Sequence, residues 1–242
     1  MIIHSKIDKG IIRNSNQDAF IAGQLSENIA FAVVCDGMGG ANAGNIASEI
    51  AVKTVSEYLY NSFRENLTID EIARLVSSAI SSANLQIYER ATKNEVLSGM
   101  GTTIVVALIL GNEAVISHVG DSRIYLVNDK INQLTKDHSI VQSLIESGKI
   151  SEADAKIHPR KNVITRALGV ESSVLIDNDF ITLEPNDTLL LCTDGLTNFV
   201  DAQTILDTFK NYEISLVCDK LVELANLGGG GDNITVVTMT AV

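Results

Sequence analysis

Apolar residues along this chain follow two rhythms. Short, β-branched runs recur at Ile29 to Cys35, Thr103 to Leu110, Ala114 to Val119, Ile124 to Val127, Val174 to Ile181, Thr188 to Cys192 and Ile234 to Met239. Turn-forming residues bound each run, so each predicts a strand. Between the first two runs the spacing changes to three and four residues. One helix is predicted over about Gly44 to Phe63. Another starts at Thr68-Ile69-Asp70-Glu71, a capping-box pattern, and continues with Ile72, Leu75, Val76, Ala79, Ile80, Ala83 and Ile87 on one apolar face. Near the C-terminus, Ser215 is placed to cap a helix through Val217, Cys218, Leu221, Val222 and Leu224, with Gly228 as its stop. Two short helices are predicted between these regions. Ser139 caps one containing Val141, Leu144 and Ile145 that Gly148 ends, and Ser151-Glu152-Ala153-Asp154 opens the other. Strands adjoin strands from 103 to 127 and helices come in pairs. This is not βαβ alternation, and it predicts an α+β fold with helix pairs on mainly antiparallel sheets.

No linker, repeat or low-complexity tract divides the 242 residues, so one domain over 1–242 is expected. The longest uncharged apolar stretch, Gly101 to Asn112, is short of the ~20 residues that cross a bilayer. Asp8 interrupts the N-terminal segment too early for a secretory signal. Cys35, Cys192 and Cys218 lie in apolar segments without CxxC spacing, which reads as reduced core thiols in a cytoplasmic protein. Neither zinc nor redox chemistry is indicated. A net charge of -12 argues against nucleic acid and anionic membranes as partners.

The acidic residues also carry a pattern. Three apolar runs stop at an Asp followed by a small residue: Asp36-Gly37, Asp121-Ser122 and Asp194-Gly195. A fourth Asp, Asp232, precedes the run that starts at Ile234. Taken singly, each is a turn signal. Together, at strand ends on one rim of an antiparallel sheet, the four carboxylates could converge. Two carboxylates about 5 Å apart repel by roughly 3 kcal/mol at an effective dielectric near 20. Divalent cations remove that repulsion, and an all-oxygen ligand set suits Mg²⁺ or Mn²⁺ rather than Zn²⁺.

The glycine-rich turn from Gly37 to Gly44 raises nucleotide binding as a competing class. A GxGxxG pattern would need glycine where Asn42 stands, there is no GxxxxGK[ST] element, and Asp36 has the wrong sign for a pyrophosphate. The glycines are better read as letting backbone approach an ion, with the Gly37 carbonyl as a ligand. Upstream, Arg13-Asn14-Ser15-Asn16-Gln17-Asp18 is either a polar turn or a functional element. In the second reading Arg13 offers a planar fork to a phosphate and Asp18 holds metal-bound water.

Taken in order, these motifs resemble the metal-dependent protein phosphatases (PPM, type 2C) in their compact bacterial form. The resemblance rests on Arg13 to Asp18, Asp36-Gly37-Met38-Gly39-Gly40, Gly101-Thr102-Thr103, Gly120-Asp121-Ser122-Arg123, Thr165-Arg166-Ala167-Leu168-Gly169, Thr193-Asp194-Gly195-Leu196 and Gly231-Asp232-Asn233-Ile234-Thr235. It implies a four-layer α-β-β-α sandwich with two central, mainly antiparallel sheets and a flap over about 138–168. It implies hydrolysis of phosphoserine and phosphothreonine in proteins by water activated between two metal ions, with no covalent intermediate. By motif match, Asp36 bridges two Mn²⁺ or Mg²⁺ ions, the Gly37 carbonyl binds one, and Asp194 and Asp232 complete the pair. Asp18 acts through bound water, Asp121 and Asp194 hold a third ion in bacterial members, and Arg13 binds phosphate. Met38 stands where some members carry a histidine thought to protonate the leaving group. A thioether has no proton to donate, which leaves a water for that role. His4, His118, His138 and His158 are given no part in it, and Arg160, Lys161 and Arg166 no assigned role. Phosphorylated proteins, an opposing Ser/Thr kinase and a monomeric state are the expected partners and form. The alternative is an inactive phosphatase-like module that binds metal or phosphoprotein. Loss of a metal Asp would mark it, and every expected Asp is present.

Overall fold

The computed structural model describes residues 1–39 and 43–241. Gly40, Ala41 and Asn42 of the glycine-rich turn lie outside the described residues. The strands are β1 (Ile2–Asp8), β2 (Asp18–Ser26), β3 (Ile29–Met38), β4 (Gly101–Thr102), β5 (Ile104–Leu110), β6 (Glu113–Val119), β7 (Arg123–Val127), β8 (Ile131–Gln133), β9 (Asp177–Thr182), β10 (Thr188–Cys192) and β11 (Ile234–Thr240). The α-helices are α1 (Gly44–Ser62), α2 (Ile69–Lys93), α3 (Ile140–Glu146), α4 (Glu152–Ile157), α5 (Asp194–Thr197), α6 (Ala202–Asn211) and α7 (Ile214–Leu227). One sheet has the order β1-β11-β10-β7-β8. The other has the order β2-β3-β5-β6-β9, with β4 added against β3. Every named pairing is antiparallel.

Alternation along the strands builds the layers, because successive side chains point to opposite faces. On β3, Ile29, Phe31, Val33 and Cys35 pack toward α1 and α2, whereas Ala30, Ala32 and Val34 face the other sheet. On β10, Leu189 and Leu191 fill the space between the sheets, whereas Leu190 and Cys192 meet Leu196, Ile205 and Leu221 of the second helical layer. The result is helix, sheet, sheet, helix with three apolar cores, as the α+β reading expects. Strands fully buried on both faces explain why the sequence shows continuous apolar runs there.

Several local expectations hold in detail. Thr68 accepts the Glu71 backbone N–H, and the Glu71 side chain returns to the Thr68 N–H. Ser139 caps α3, and Ser151 with Asp154 forms a capping box on α4. Others need correction. The last helix starts at Ile214 with Glu213 in the capping position and no side-chain cap, so Ser215 lies within its first turn. The strand expected from Val174 begins at Asp177, and Val174 and Ile176 instead pack against the helix-side core ahead of it. Strands β1, β2, β4 and β8 and helices α5 and α6 have no counterpart in the sequence pattern. β1 sits at a sheet edge and is largely solvated, so its residues need not be apolar.

Leu191 is fully buried between the sheets. Leu191→Ala should lower stability by about 2–5 kcal/mol, read as a drop in urea midpoint at unchanged slope. A loss under about 1 kcal/mol would contradict close packing of the two sheets at this point.

Candidate metal centre

The acidic residues reach the same rim of the sandwich from both sheets. Asp18 opens β2 and pairs in register with Asp36 of β3. Cys192, the last residue of β10, pairs with Val236 near the start of β11. Asp194, just past β10, and Asp232, just ahead of β11, therefore stand together on the other sheet. Asp121 lies in the connection from β6 to β7, which crosses from one sheet to the other.

Hydroxyl groups hold these carboxylates in place. Asp18 Oδ2 accepts from Thr193 Oγ1 at 2.9 Å and from Thr235 Oγ1 at 2.7 Å, so one carboxylate ties the two sheets together. Its Oδ1 is buried with no hydrogen-bond partner. Asp194 Oδ2 accepts from Asn198 Nδ2 at 2.9 Å, and its Oδ1 is likewise buried and unpaired. Asp36 is fixed through its backbone. Its N–H donates to Thr103 Oγ1 at 2.9 Å, and its carbonyl accepts from Thr102 Oγ1 at 2.9 Å. Thr103 Oγ1 also bonds Ser122 Oγ at 2.7 Å, next to Asp121. These hydroxyls lie inside the recognised motifs, and sequence reasoning gave them no role. Gly37 follows Asp36 in a tight place: a Cβ there would come 2.2 Å from the Gly44 carbonyl oxygen, where α1 begins. A side chain at position 37 would thus force α1 off the strand.

Without cations the cluster holds its charge poorly. Burial is the first cause in every case. Asp18 is pushed up to about 7 by burial and by the charges of Asp194 and Asp232, against the pull of its two threonine bonds. Burial and Asp194 push Asp121 to about 7, with Arg123 opposing. Asp36 rises well above the carboxylate range through burial and then through Asp18, Asp194, Asp121 and Asp232. Asp194 rises through burial and then through the charge of Asp232, with the Asn198 hydrogen bond and Arg123 opposing. The two unpartnered buried oxygens and the all-carboxylate donor set fit hard divalent cations of the Mg²⁺ or Mn²⁺ kind.

Arg13 stands on the rim. Its Nη2 donates to Asp232 Oδ2 at 2.8 Å and its Nε to the Gly231 carbonyl at 3.3 Å. From Asp121 and Asp194 a cleft of about 600 Å³ opens between α3 and α4 on one side and α5 and α6 on the other, with Val141, Ile145, Lys156 and Phe199 among its walls. The segment carrying α3 and α4 is rooted at both ends. The His138 N–H donates to the Gly120 carbonyl at 2.9 Å, and the Leu168 N–H donates to the Thr102 carbonyl at 2.9 Å. Within it α3 buries no residue and α4 buries only Ala155.

A second group, His118, His138 and Asp177, also brings potential ligand atoms together. Its geometry is that of a structural network. The two imidazoles stack at 4.7 Å with planes 10° apart, so their in-plane lone pairs do not aim at a common point. Arg166 Nη1 lies 2.6 Å from Asp177 Oδ1 and 3.0 Å from His138 Nε2, placing a cation there already. His158 accepts the Arg160 N–H, and His4 lies on β1 opposite Thr238. The three thiols are buried, and burial pushes Cys218 to about 11, Cys192 to about 12 and Cys35 well above its ordinary range, which fits inert core residues.

The family model described as Protein phosphatase 2C matches residues 5–220. The chain belongs to the protein phosphatase 2C family. It is 42% identical over 233 residues to the Serine/threonine phosphatase stp of Listeria welshimeri, covering 96% of this chain and 92% of that protein. Among solved structures it resembles the serine/threonine phosphatase Stp1 of Staphylococcus aureus, with a TM-score of 0.93 and 33% identity, covering 99% of this chain and 94% of the other. The catalytic domain of the phosphatase PstP, solved with two manganese ions, aligns with a TM-score of 0.86 at 32% identity, covering 100% of this chain and 98% of that one. Members of this family are metal-dependent.

The raised carboxylates set a pH dependence. Asp18 and Asp121 have an ordinary value of 3.8 and stand near 7 in the metal-free fold. The folded state therefore binds more protons than the unfolded chain between those values, and its stability falls as pH rises from about 4 to about 7. Cations that replace those protons should stabilise more at pH 7.5 than at pH 5. At a Mn²⁺ concentration about a hundredfold above Kd, the expected gain in Tm at pH 7.5 is roughly 5–10 °C over a chelator control. Scanning calorimetry at both pH values checks this. A gain that is equal or larger at pH 5 would contradict it.

Proposed function

We propose that this chain is a divalent-cation-dependent phosphatase that hydrolyses phosphoserine and phosphothreonine in other proteins. The observation that carries the reading is the pair of buried, unpartnered oxygens, Asp18 Oδ1 and Asp194 Oδ1, within a cluster of carboxylates that has Arg13 at its rim. Relatives named as serine/threonine phosphatases, aligned over nearly the whole chain, support the substrate class.

Asp36, Asp194, Asp232 and the Gly37 carbonyl would hold two Mn²⁺ or Mg²⁺ ions. Asp18 would act through water, and Asp121 with Asp194 would hold a third ion. Bound there, the cations supply Lewis-acid chemistry: they neutralise phosphoryl oxygens and lower the pKa of the water that attacks phosphorus. Arg13 binds the remaining phosphoryl oxygens through its forked donors and orients the group for in-line displacement. The threonine hydroxyls on Asp18 and the backbone bonds on Asp36 keep the ligands from relaxing apart, so the field is set before substrate arrives. With buried, protonated cysteines the chain offers no thiol nucleophile, and water serves instead. Met38 cannot protonate the departing serine or threonine oxygen, so that proton also comes from water. The segment 138–168 is read as a flap, and the cleft beneath it as the path of the substrate chain. A single domain, a monomeric state, a cytoplasmic location, a signalling role and an opposing Ser/Thr kinase complete the reading. Among the described residues no helix is long and apolar enough to cross a membrane.

Phosphate release from a phosphothreonine peptide should require Mn²⁺ or Mg²⁺ and stop with a chelator. Asp194→Ala should abolish it, and Cys35→Ala should retain it. Arg13→Ala should raise KM about 10- to 100-fold, the effect of losing charge-assisted hydrogen bonds. Tight Mn²⁺ binding with no release from several phosphopeptides would point instead to a non-catalytic binding module.

A further inference from the structure

Arg13 lies in the connection between β1 and β2, which has no regular structure and is largely exposed. A phosphate anchor on a free loop would have to be ordered each time substrate binds, at a cost in affinity. The loop is not free. Asn233, 4% exposed, reaches into it from the start of β11. Its Oδ1 accepts the Gln17 N–H at 2.8 Å, and its Nδ2 donates to the carbonyls of Lys9 at 2.8 Å and Ser15 at 3.0 Å. Both amide hydrogens are therefore used, and the three contacts bracket Arg13 from either side. The adjoining Gly230 carbonyl accepts the N–H groups of Ile11 at 2.9 Å and Ile12 at 3.1 Å. Gly10 allows the loop to lie this close: at its φ of +77°, a Cβ would come 2.1 Å from the Asp232 carbonyl oxygen.

We propose that Asn233 is a positioning residue whose buried side-chain amide presets the Arg13 loop and thereby sets affinity for the phosphoryl group. The inference rests on Arg13 as the phosphate anchor. Its side chain is separate from the cation ligands: Asn233 steadies Asp232 through its backbone N–H, at 2.8 Å to Asp232 Oδ1, and Asn233→Ala keeps that bond. A buried amide replaced by a methyl group leaves two loop carbonyls and one N–H to find water, and the loop loses its bracket on both sides of Arg13.

The test is a double-mutant cycle with Asn233→Ala and Arg13→Ala. KM and kcat are measured on a phosphothreonine peptide, inhibition with inorganic phosphate, and Mn²⁺ affinity by calorimetry. Asn233→Ala should raise KM and weaken phosphate inhibition about tenfold, with kcat and Mn²⁺ affinity changed less than about threefold. In the Arg13→Ala background it should have almost no further effect, because its action runs through Arg13. Gly10→Ala, whose Cβ would press the same loop off the Asp232–Asn233 peptide while keeping the Asn233 side chain, should reproduce the KM effect and serves if Asn233→Ala folds poorly, with its Mn²⁺ affinity measured alongside because Asp232 is touched. An undiminished Asn233→Ala effect in the Arg13→Ala background would overturn the proposal, as would a large loss of Mn²⁺ affinity with unchanged KM. If Arg13→Ala alone leaves KM and phosphate inhibition unchanged, the anchor role of Arg13 fails first. If Arg13→Ala raises KM but neither Asn233→Ala nor Gly10→Ala does, only the positioning role fails.

Discussion

The site is governed by one electrostatic constraint: carboxylates from two sheets are taken out of water into each other's company. Neutral hydroxyls and amides are their main hydrogen-bond partners, and such groups orient charge without cancelling it. Arg123, a half-buried cation two residues from Asp121, is already committed. Its Nε and Nη2 grip both oxygens of Asp137, and its Nη1 donates to Tyr125. It lowers the pKa of Asp121 and Asp194, yet both remain raised. The fold thus leaves negative charge uncompensated at this rim, and protons fill the role when cations do not.

The four-layer sandwich makes this arrangement sustainable. Three apolar cores secure the sheets along their length, so the rim can carry repulsion that a smaller fold could not absorb. Alanines on the inner face of β3 let the sheets approach closely. That proximity is what allows Thr193 and Thr235, from one sheet, to reach Asp18 on the other. Packing in the middle of the sandwich and ligand geometry at its end are therefore linked through backbone, not through shared side chains.

Much of this was legible in the sequence because its causes are local. Buried strands read as apolar runs, capped helices as Thr68-Glu71 and Ser151-Asp154, and the converging carboxylates as aspartates at run ends. What remained hidden depends on partners far along the chain. Asn233 looks like any residue after an aspartate until Lys9, Ser15 and Gln17 are folded onto it. The same holds for Thr103, whose hydroxyl links Asp36 to the turn of Asp121 and Ser122. Edge strands β1 and β8 escaped because solvent on their outer side removes the apolar signal. Helix α6 was legible and was missed: Asp201 caps it through the Thr204 N–H at 2.8 Å, and Ala202, Ile205, Leu206 and Phe209 recur at three- and four-residue spacing on one face.

The pairing of Arg13 with Asp232 joins the two halves of the site. Both partners are partly exposed, with side-chain exposures of 48% and 25%, so the ion pair is worth no more than about 1 kcal/mol. A carboxylate proposed as a cation ligand can be drawn from it cheaply. The guanidinium then loses its partner without losing its place, because the loop beneath it is held by Asn233 and Gly230 and not by the ion pair. A weak contact at the surface and a strong bracket underneath suit the proposed role of Arg13, in which a protein carboxylate is exchanged for a phosphoryl oxygen.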